Sequence, residues 1–265
     1  MPDIGQTCLF IGWVFVFYLW HAFGVTIGLH RLLSHRAFKC PKFVEYFWVL
    51  GAYLAFHGSP MWWATIHRAH HRHVDTPLDP HSPNQGAMHA FTFFREFKYP
   101  QHINTELQSK DLLADPLYRL LEWNGDWKRG YALNVASCFA FRAILWFFFG
   151  PLIASASLIA GVLALHMPLI LNIICHIPKL GYRRFETEDD SVNVWYMAVF
   201  GLGDGWHNNH HANPASCKMG ATKWELDPSF RLLKLMEKCG LASSINEYIP
   251  APTVVRSTKS TVSTR

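Results

Sequence analysis

YALNVASCFAFRAILWFFFGPLIASASLIAGVLALHMPLILNIICHI, residues Tyr131–Ile177, is the stretch on which the fold turns. It is apolar almost throughout, and Gly150-Pro151 divides it in two. A bilayer crossing needs about 20 consecutive apolar residues, and each half meets that length. We therefore read two membrane spans, near 131–150 and 152–177, joined by a very short turn. Arg142 and His166 are ionisable groups at membrane depth, so each is expected to face the protein interior or to reach for the interface. A helical hairpin buried in a soluble protein is the competing reading. The combined length and the aromatic run Trp146–Phe149 favour the membrane.

Upstream, Cys8–Leu29 is a third apolar run, interrupted only by His21, and predicts a span near 8–29. Arg31, Arg36, Lys39 and Lys42 follow it and place that end on the cytoplasmic side. Residues 43–58 are apolar and aromatic but short for a crossing, which predicts a half-membrane or interfacial helix. Residues 111–123 set Leu112, Leu113, Leu117, Leu120 and Leu121 among charges. They read as an amphipathic helix on the membrane surface or, equally, as a surface helix of a soluble domain. From Lys223 onward the pattern is soluble and helical. Residues 251–265 form a basic Ser/Thr/Val-rich tail expected to be disordered. The fold class that follows is an all-α membrane protein in one domain, residues 1–250. It has about three transmembrane helices and a short half-membrane helix, capped by a cytoplasmic helical domain.

Composition agrees with this class. Charged residues are 16% of the 265, against roughly 25% in soluble domains. The net charge of +5 is scattered rather than drawn into a stripe, which suits anionic lipid and not nucleic acid. The six cysteines form no CxxC pair and read as reduced thiols. No basic n-region and small-residue cleavage site mark a removable signal peptide.

Sixteen histidines are the anomaly. In His67-Arg68-Ala69-His70-His71, residues three and four apart share a helix face. Protonated, the three rings would repel; unpaired, they would waste burial; a metal removes both costs. His207-Asn208-Asn209-His210-His211 repeats the pattern. His30 and His35 differ, because a five-residue step turns about 140° on an ideal α-helix. Either the helix end unwinds or the two rings serve different metals. All-imidazole ligation suits Zn, Cu, Fe or Ni. Eight clustered histidines exceed one tetrahedral zinc and match two ions. No Glu-x-x-His occurs, so the carboxylate-rich ligand set of soluble di-iron proteins is excluded.

Three words carry a resemblance. They are Gly28-Leu29-His30-Arg31-Leu32-Leu33-Ser34-His35-Arg36, Ile66-His67-Arg68-Ala69-His70-His71, and Gly203-Asp204-Gly205-Trp206-His207-Asn208-Asn209-His210-His211. Together they resemble the integral-membrane fatty acyl desaturases. His-Arg-Leu in the first box, and Asp79-Pro80-His81-Ser82 after the second, look like the Δ9-type acyl-CoA and acyl-lipid branch. The likeness runs from about Val25 to Glu225. It implies a ninth metal ligand, His176, with Asn172 four residues earlier acting through a water. It also implies two non-haem irons, O2 as co-substrate, a fatty acyl substrate, and insertion of a cis double bond. Because no His-Pro-Gly-Gly word is present, electrons are expected from a separate donor of ferredoxin or cytochrome b5 type.

Trp62, Trp63 and Trp206, beside the ligands, are candidate walls of an apolar tunnel, or simply interface packing. Asp79 and His81 are candidates for orienting a ligand from behind. His21, His57, His73, His89, His102 and His166 match no ligand position and read as structural or solvated. Two departures stand out. The family is expected to carry four membrane helices with both termini cytoplasmic, whereas one span precedes His30 here, so either the N-terminus faces the other side or the true start lies upstream. The stretch His89–Glu96 lacks the His-x-Gly-Trp word, so headgroup handling is expected to differ. A related di-iron hydroxylase or ketolase is the first rival reading, and a membrane metal-binding, transport or bis-His haem protein the second.

Overall fold

Helix α1 (Ile4–Phe23) runs without a break into a π-helical stretch, Gly24–Ser34. In the computed structural model, which describes residues 3–91 and 102–251, this continuous helix is one of three long and apolar enough to cross a membrane. The others are α7 (Trp127–Phe149) and α8 (Pro151–Ile174). Between them in the chain lie α2 (Lys42–Tyr53), α3 (Pro60–His73) and the short α4 (Ala87–Phe91), α5 (Thr105–Gln108) and α6 (Pro116–Leu121). After α8 come α9 (Trp195–Phe200), α10 (His207–Ala212) and α11 (Pro228–Lys238). The described residues contain no β-strand, only isolated bridges such as Lys39–Ser243. The expected tail beyond Ala251, and Thr92–Glu96 of the departing stretch, lie outside the described residues.

The three long helices turn large side chains outward: Ile11, Phe15, Phe139, Trp146, Phe147, Phe148, Phe149, Ile159 and Leu163 are all exposed. So continuous an apolar exterior is foreign to a soluble monomer and natural to one surrounded by lipid. Helix α8 packs against both α1 and α7, while the π-helical stretch packs against α2 and α3. Glycine permits the second approach, since a Cβ on Gly24 would lie 2.4 Å from Ala52 N and 2.6 Å from Trp48 O.

Helix α2 has 12 residues, about 18 Å of rise, well short of a hydrocarbon core of about 30 Å. The last carbonyls of a helix have no partner within it and need one from outside. Side chains from the flanking spans supply it. His21 Nδ1 donates to Gly51 O at 2.6 Å, and Asn134 Nδ2 to Tyr53 O at 2.6 Å. Arg142 Nη1 donates to Leu54 O, and its Nη2 to Ser157 O at 3.2 Å. The cation also faces the negative end of the α2 dipole. His21 and Arg142, two of the ionisable residues that interrupt the apolar runs, are thus caps of a helix that stops partway.

Two elements differ from the sequence expectation. Helix α2 ends at Tyr53 instead of reaching residue 58; Phe56 and Gly58 take positive φ, 67° and 74°, and turn the chain into α3. There Ser59 Oγ accepts from Trp62 N and Pro60 opens the helix. Residues 111–123 are not one amphipathic helix. A 3-10 turn (Lys110–Ala114), α6 and a second 3-10 turn (Trp123–Gly125) divide them. Pro116 holds Asp115 extended, and the Asp115 carboxylate then accepts from Leu117 N and Tyr118 N as a cap.

Candidate metal centre

The π-helical winding answers the question posed by His30 and His35. His35 N donates to His30 O at 3.1 Å, the i→i+5 bond of a π-helix. That ladder winds more slowly than an α-helix, so the two rings come together, their centroids 4.9 Å apart. Both enter one ligand group.

The nine histidines form two groups, His30, His35, His67, His71 and His210 in one, His70, His176, His207 and His211 in the other. Each HxxHH motif is split between them. Helix α3 gives its i, i+4 pair, His67 and His71, to the first group and His70 to the second. Helix α10 gives His207 and His211 to the second and His210 to the first. A shared helix face therefore serves two centres at once.

In the first group the Nε2 atoms converge. His35 and His67 are 2.9 Å apart, His67 and His71 3.1 Å, His71 and His210 3.0 Å, His210 and His30 3.0 Å. Metal–imidazole bonds of about 2.1 Å at right angles would separate neighbouring nitrogens by about 3.0 Å, and tetrahedral angles by about 3.4 Å. The observed spacing matches a centre with more than four positions. In the second group, His176 Nε2 and His207 Nε2 are 3.1 Å apart. His70 Nε2 and His211 Nε2 are buried with no hydrogen-bond partner, which a bound cation would satisfy.

Carboxylates fix which nitrogen is free. His30 Nδ1 donates to Asp204 at 2.7 Å, His70 Nδ1 to Asp79 at 2.9 Å, His176 Nδ1 to Asp75 at 2.8 Å, and His211 Nδ1 to Asp189 at 3.0 Å. An ionised carboxylate only accepts, so each Nδ1 holds the proton and each Nε2 a lone pair for a metal. Burial alone would raise these acids, but His70 holds Asp79, and His211 holds Asp189, well below the usual carboxylate range. Burial, together with the neighbouring imidazoles, pushes His35, His67, His71, His207 and His210 well below the ordinary histidine value. His211 falls to about 4 for the same first reason, opposed by Asp189. These six rings are therefore neutral and ready to ligate at physiological pH.

Of these acids only Asp79 stands among the sequence candidates. Asp204 lies within the third box and Asp75 four residues after His71, which the sequence could have flagged; Asp189 lies well away from any histidine word, and no sequence signal marks it. Arg31 has a second role in the fold. It is not a surface charge there: its side chain is 0% exposed. It pairs with Asp204 at 3.1 Å and Asp227 at 3.1 Å, and so braces the carboxylate behind His30.

His81 stacks on His70, centroids 4.3 Å apart, and its carbonyl accepts from Asn172 Nδ2 at 2.8 Å. An apolar cavity adjoins both groups, lined by Trp62, Trp63, Ile66, Leu165 and Asn172 and touching His30, His67 and His207. Trp63 also stacks on His67 at 5.0 Å. Trp206 is not part of this wall. Its Nε1 donates to Leu226 O, and it packs with Ala198 and Met219. Of the histidines assigned no ligand role, His21 caps α2 and His57 lines the cavity. His166 bonds back to Val162 O, and His73 rests against His102.

Comparison with known proteins completes the case. Residues 7–234 match the family model of fatty acid desaturases. The chain is 37% identical over 226 residues to an acyl-CoA C20 Delta5-desaturase of Anemone leveillei, covering 84% of this chain and 69% of that one. It is 34% identical over 224 residues to an sn-1 stearoyl-lipid 9-desaturase of Anabaena variabilis, covering 84% and 78%. It is 33% identical over 225 residues to Delta-9 acyl-lipid desaturase 1 of Arabidopsis thaliana, covering 84% and 70%. With two histidine groups gathered beside an apolar cavity and this similarity along most of its length, the chain belongs to the fatty acid desaturase family.

Proposed function

We propose that this chain is an integral-membrane, oxygen-dependent acyl desaturase that places a cis double bond at position 9 of a saturated acyl chain, with one iron in each histidine group. The observation that carries the reading is the pair of buried histidine clusters adjoining an apolar cavity, the first with its Nε2 atoms spaced for a metal of more than four positions. Bound iron would activate O2 and supply the oxidising power to remove two hydrogens from adjacent methylenes. Five histidines would hold one ion, and four the other, with Asn172 acting on the second through a water. Asp204, Asp79, Asp75 and Asp189 keep the Nδ1 protons in place, so the ligands stay oriented.

The protein's remaining task is positioning, since an acyl chain offers many similar methylenes. Trp63 is wall and ligand support at once, because it lines the cavity and stacks on His67. Apolar Trp62, Ile66 and Leu165 exclude water along the chain. Two electrons come from a separate donor of ferredoxin or cytochrome b5 type. The substrate is an acyl-CoA or acyl-lipid, and the metal groups lie on the cytoplasmic side, where Arg36, Lys39 and Lys42 follow the first span.

Expression in a host lacking the activity, with fatty-acid profiling, tests the reading. A new cis-9 olefin is expected, with about two irons per chain and no Soret band. An oxygenated product without olefin, or protein holding only zinc or haem, would overturn it.

A further inference from the structure

Pro168 lies inside α8 and lacks the N–H that would bond to the carbonyl four residues earlier, that of Ala164. His57 makes good the loss, since its ring hydrogen-bonds to the Ala164 backbone. The ring is 4% exposed, and Nε2 is buried with no hydrogen-bond partner. The donor is therefore Nδ1, and Nε2 presents a fixed lone pair. His57 belongs to neither ligand group, so a metal does not use that lone pair. The ring stands in the cavity wall with Val25, Trp62, Leu165, Met167 and Leu169, none of which hydrogen-bonds to Nε2. A buried acceptor calls for a donor from whatever fills the cavity, and a plain polymethylene chain has none.

We propose that the preferred substrate is an acyl chain bearing a hydroxyl, whose O–H donates to His57 Nε2. This rests on the desaturase reading and names its substrate class. The bond also fixes how far the chain slides into the cavity. Apolar walls discriminate poorly between chains one methylene out of register, whereas a hydrogen bond has one position. His57 is thereby a positioning residue that decides which methylenes face the metal groups.

The test sets iron-loaded full-length protein to work on equimolar stearoyl-CoA and each of a positional series of monohydroxystearoyl-CoAs. At one hydroxyl position we expect a preference of about tenfold or more in kcat/KM, as an unmatched buried acceptor implies. His57→Leu should bring that ratio close to parity, and His57→Gln, which keeps a donor and an acceptor, should retain most of it. Thermal shift gives a readout apart from turnover: the favoured hydroxylated chain should raise the melting temperature more than stearoyl-CoA. Wild-type protein that desaturates stearoyl-CoA at least as well as every hydroxylated chain would overturn the proposal and leave the desaturase reading standing. Selective stabilisation by the hydroxylated chain with no olefin formed would support this site and sink the desaturase reading. The wild-type comparison decides even if His57→Leu fails to fold.

Discussion

Asp204→Asn changes one oxygen for an amide and almost no volume, yet it acts on the first metal group at its best-braced member. Asp204 accepts from His30 Nδ1 at 2.7 Å while Arg31, fully buried, holds its other oxygen at 3.1 Å. An Asn side chain can turn its NH2 toward His30 and donate to Nδ1. The ring proton then moves to Nε2, which sits 3.0 Å from His210 Nε2 in the ligand cluster, and the lone pair meant for the metal is lost. Keeping the amide oxygen toward His30 preserves the tautomer but points the NH2 at Arg31, two donors facing each other. Losing a carboxylate behind a metal-bound histidine costs about 10- to 100-fold in affinity or activity, or about 1.4 to 2.7 kcal/mol. The assay is iron retention against a graded chelator, with Asp126→Asn as control, since Asp126 is an exposed helix cap whose partner is Arg129 and not a ligand. Wild-type and Asp204→Asn curves within twofold of each other would refute the tautomer argument.

Arg142→Met leaves Leu54 O, at the end of α2, without its donor, while Ser157 O keeps its bond within α8. A buried acceptor left unmet costs about 1 to 3 kcal/mol, read as a lower melting temperature in detergent, and an unchanged value would refute the capping role. Gly24→Val sets a side chain 2.4 Å from Ala52 N; folded yield should collapse, whereas Gly12→Val, with nothing within 4 Å, should be tolerated. The metal-free protein should lose stability as pH falls from about 6.5 toward 4. Burial holds His211 near 4 in the fold, while the unfolded chain takes up protons near 6.5. The unfolded state thus binds more protons in that window, and stability rises with pH across it. A flat melting profile between pH 7 and 5 would contradict this.

How much of the centre was legible depended on the kind of spacing each ligand had. His67, His71, His207 and His211 declare themselves because i and i+4 meet on any α-helix, and α3 and α10 are such helices. His30 and His35 do not, because their step is wrong for the α-helix that apolar periodicity implies. Only the i→i+5 ladder over Gly24–Ser34 brings them together, and nothing in a single sequence marks where a helix changes its winding. The carboxylates were harder still. Asp75, Asp189 and Asp204 reach His176, His211 and His30 across separations of 101, 22 and 174 residues, and only folding sets those pairs. The same holds for Arg142 and His21. In sequence each is an expensive interruption of an apolar run, yet in the fold each closes a carbonyl that α2 leaves open. That these costs coincide has a physical reason. A half-membrane α2 can lie tightly along the π-helical stretch, through Gly24, only if its unfinished end is capped from the neighbouring spans. That packing helps to seat the stretch carrying His30 at the metal centre. The misfit residues of the membrane layer and the misfit spacing of the first histidine box are therefore two ends of one arrangement, which predicts that weakening the α2 cap will loosen iron binding as well as the fold.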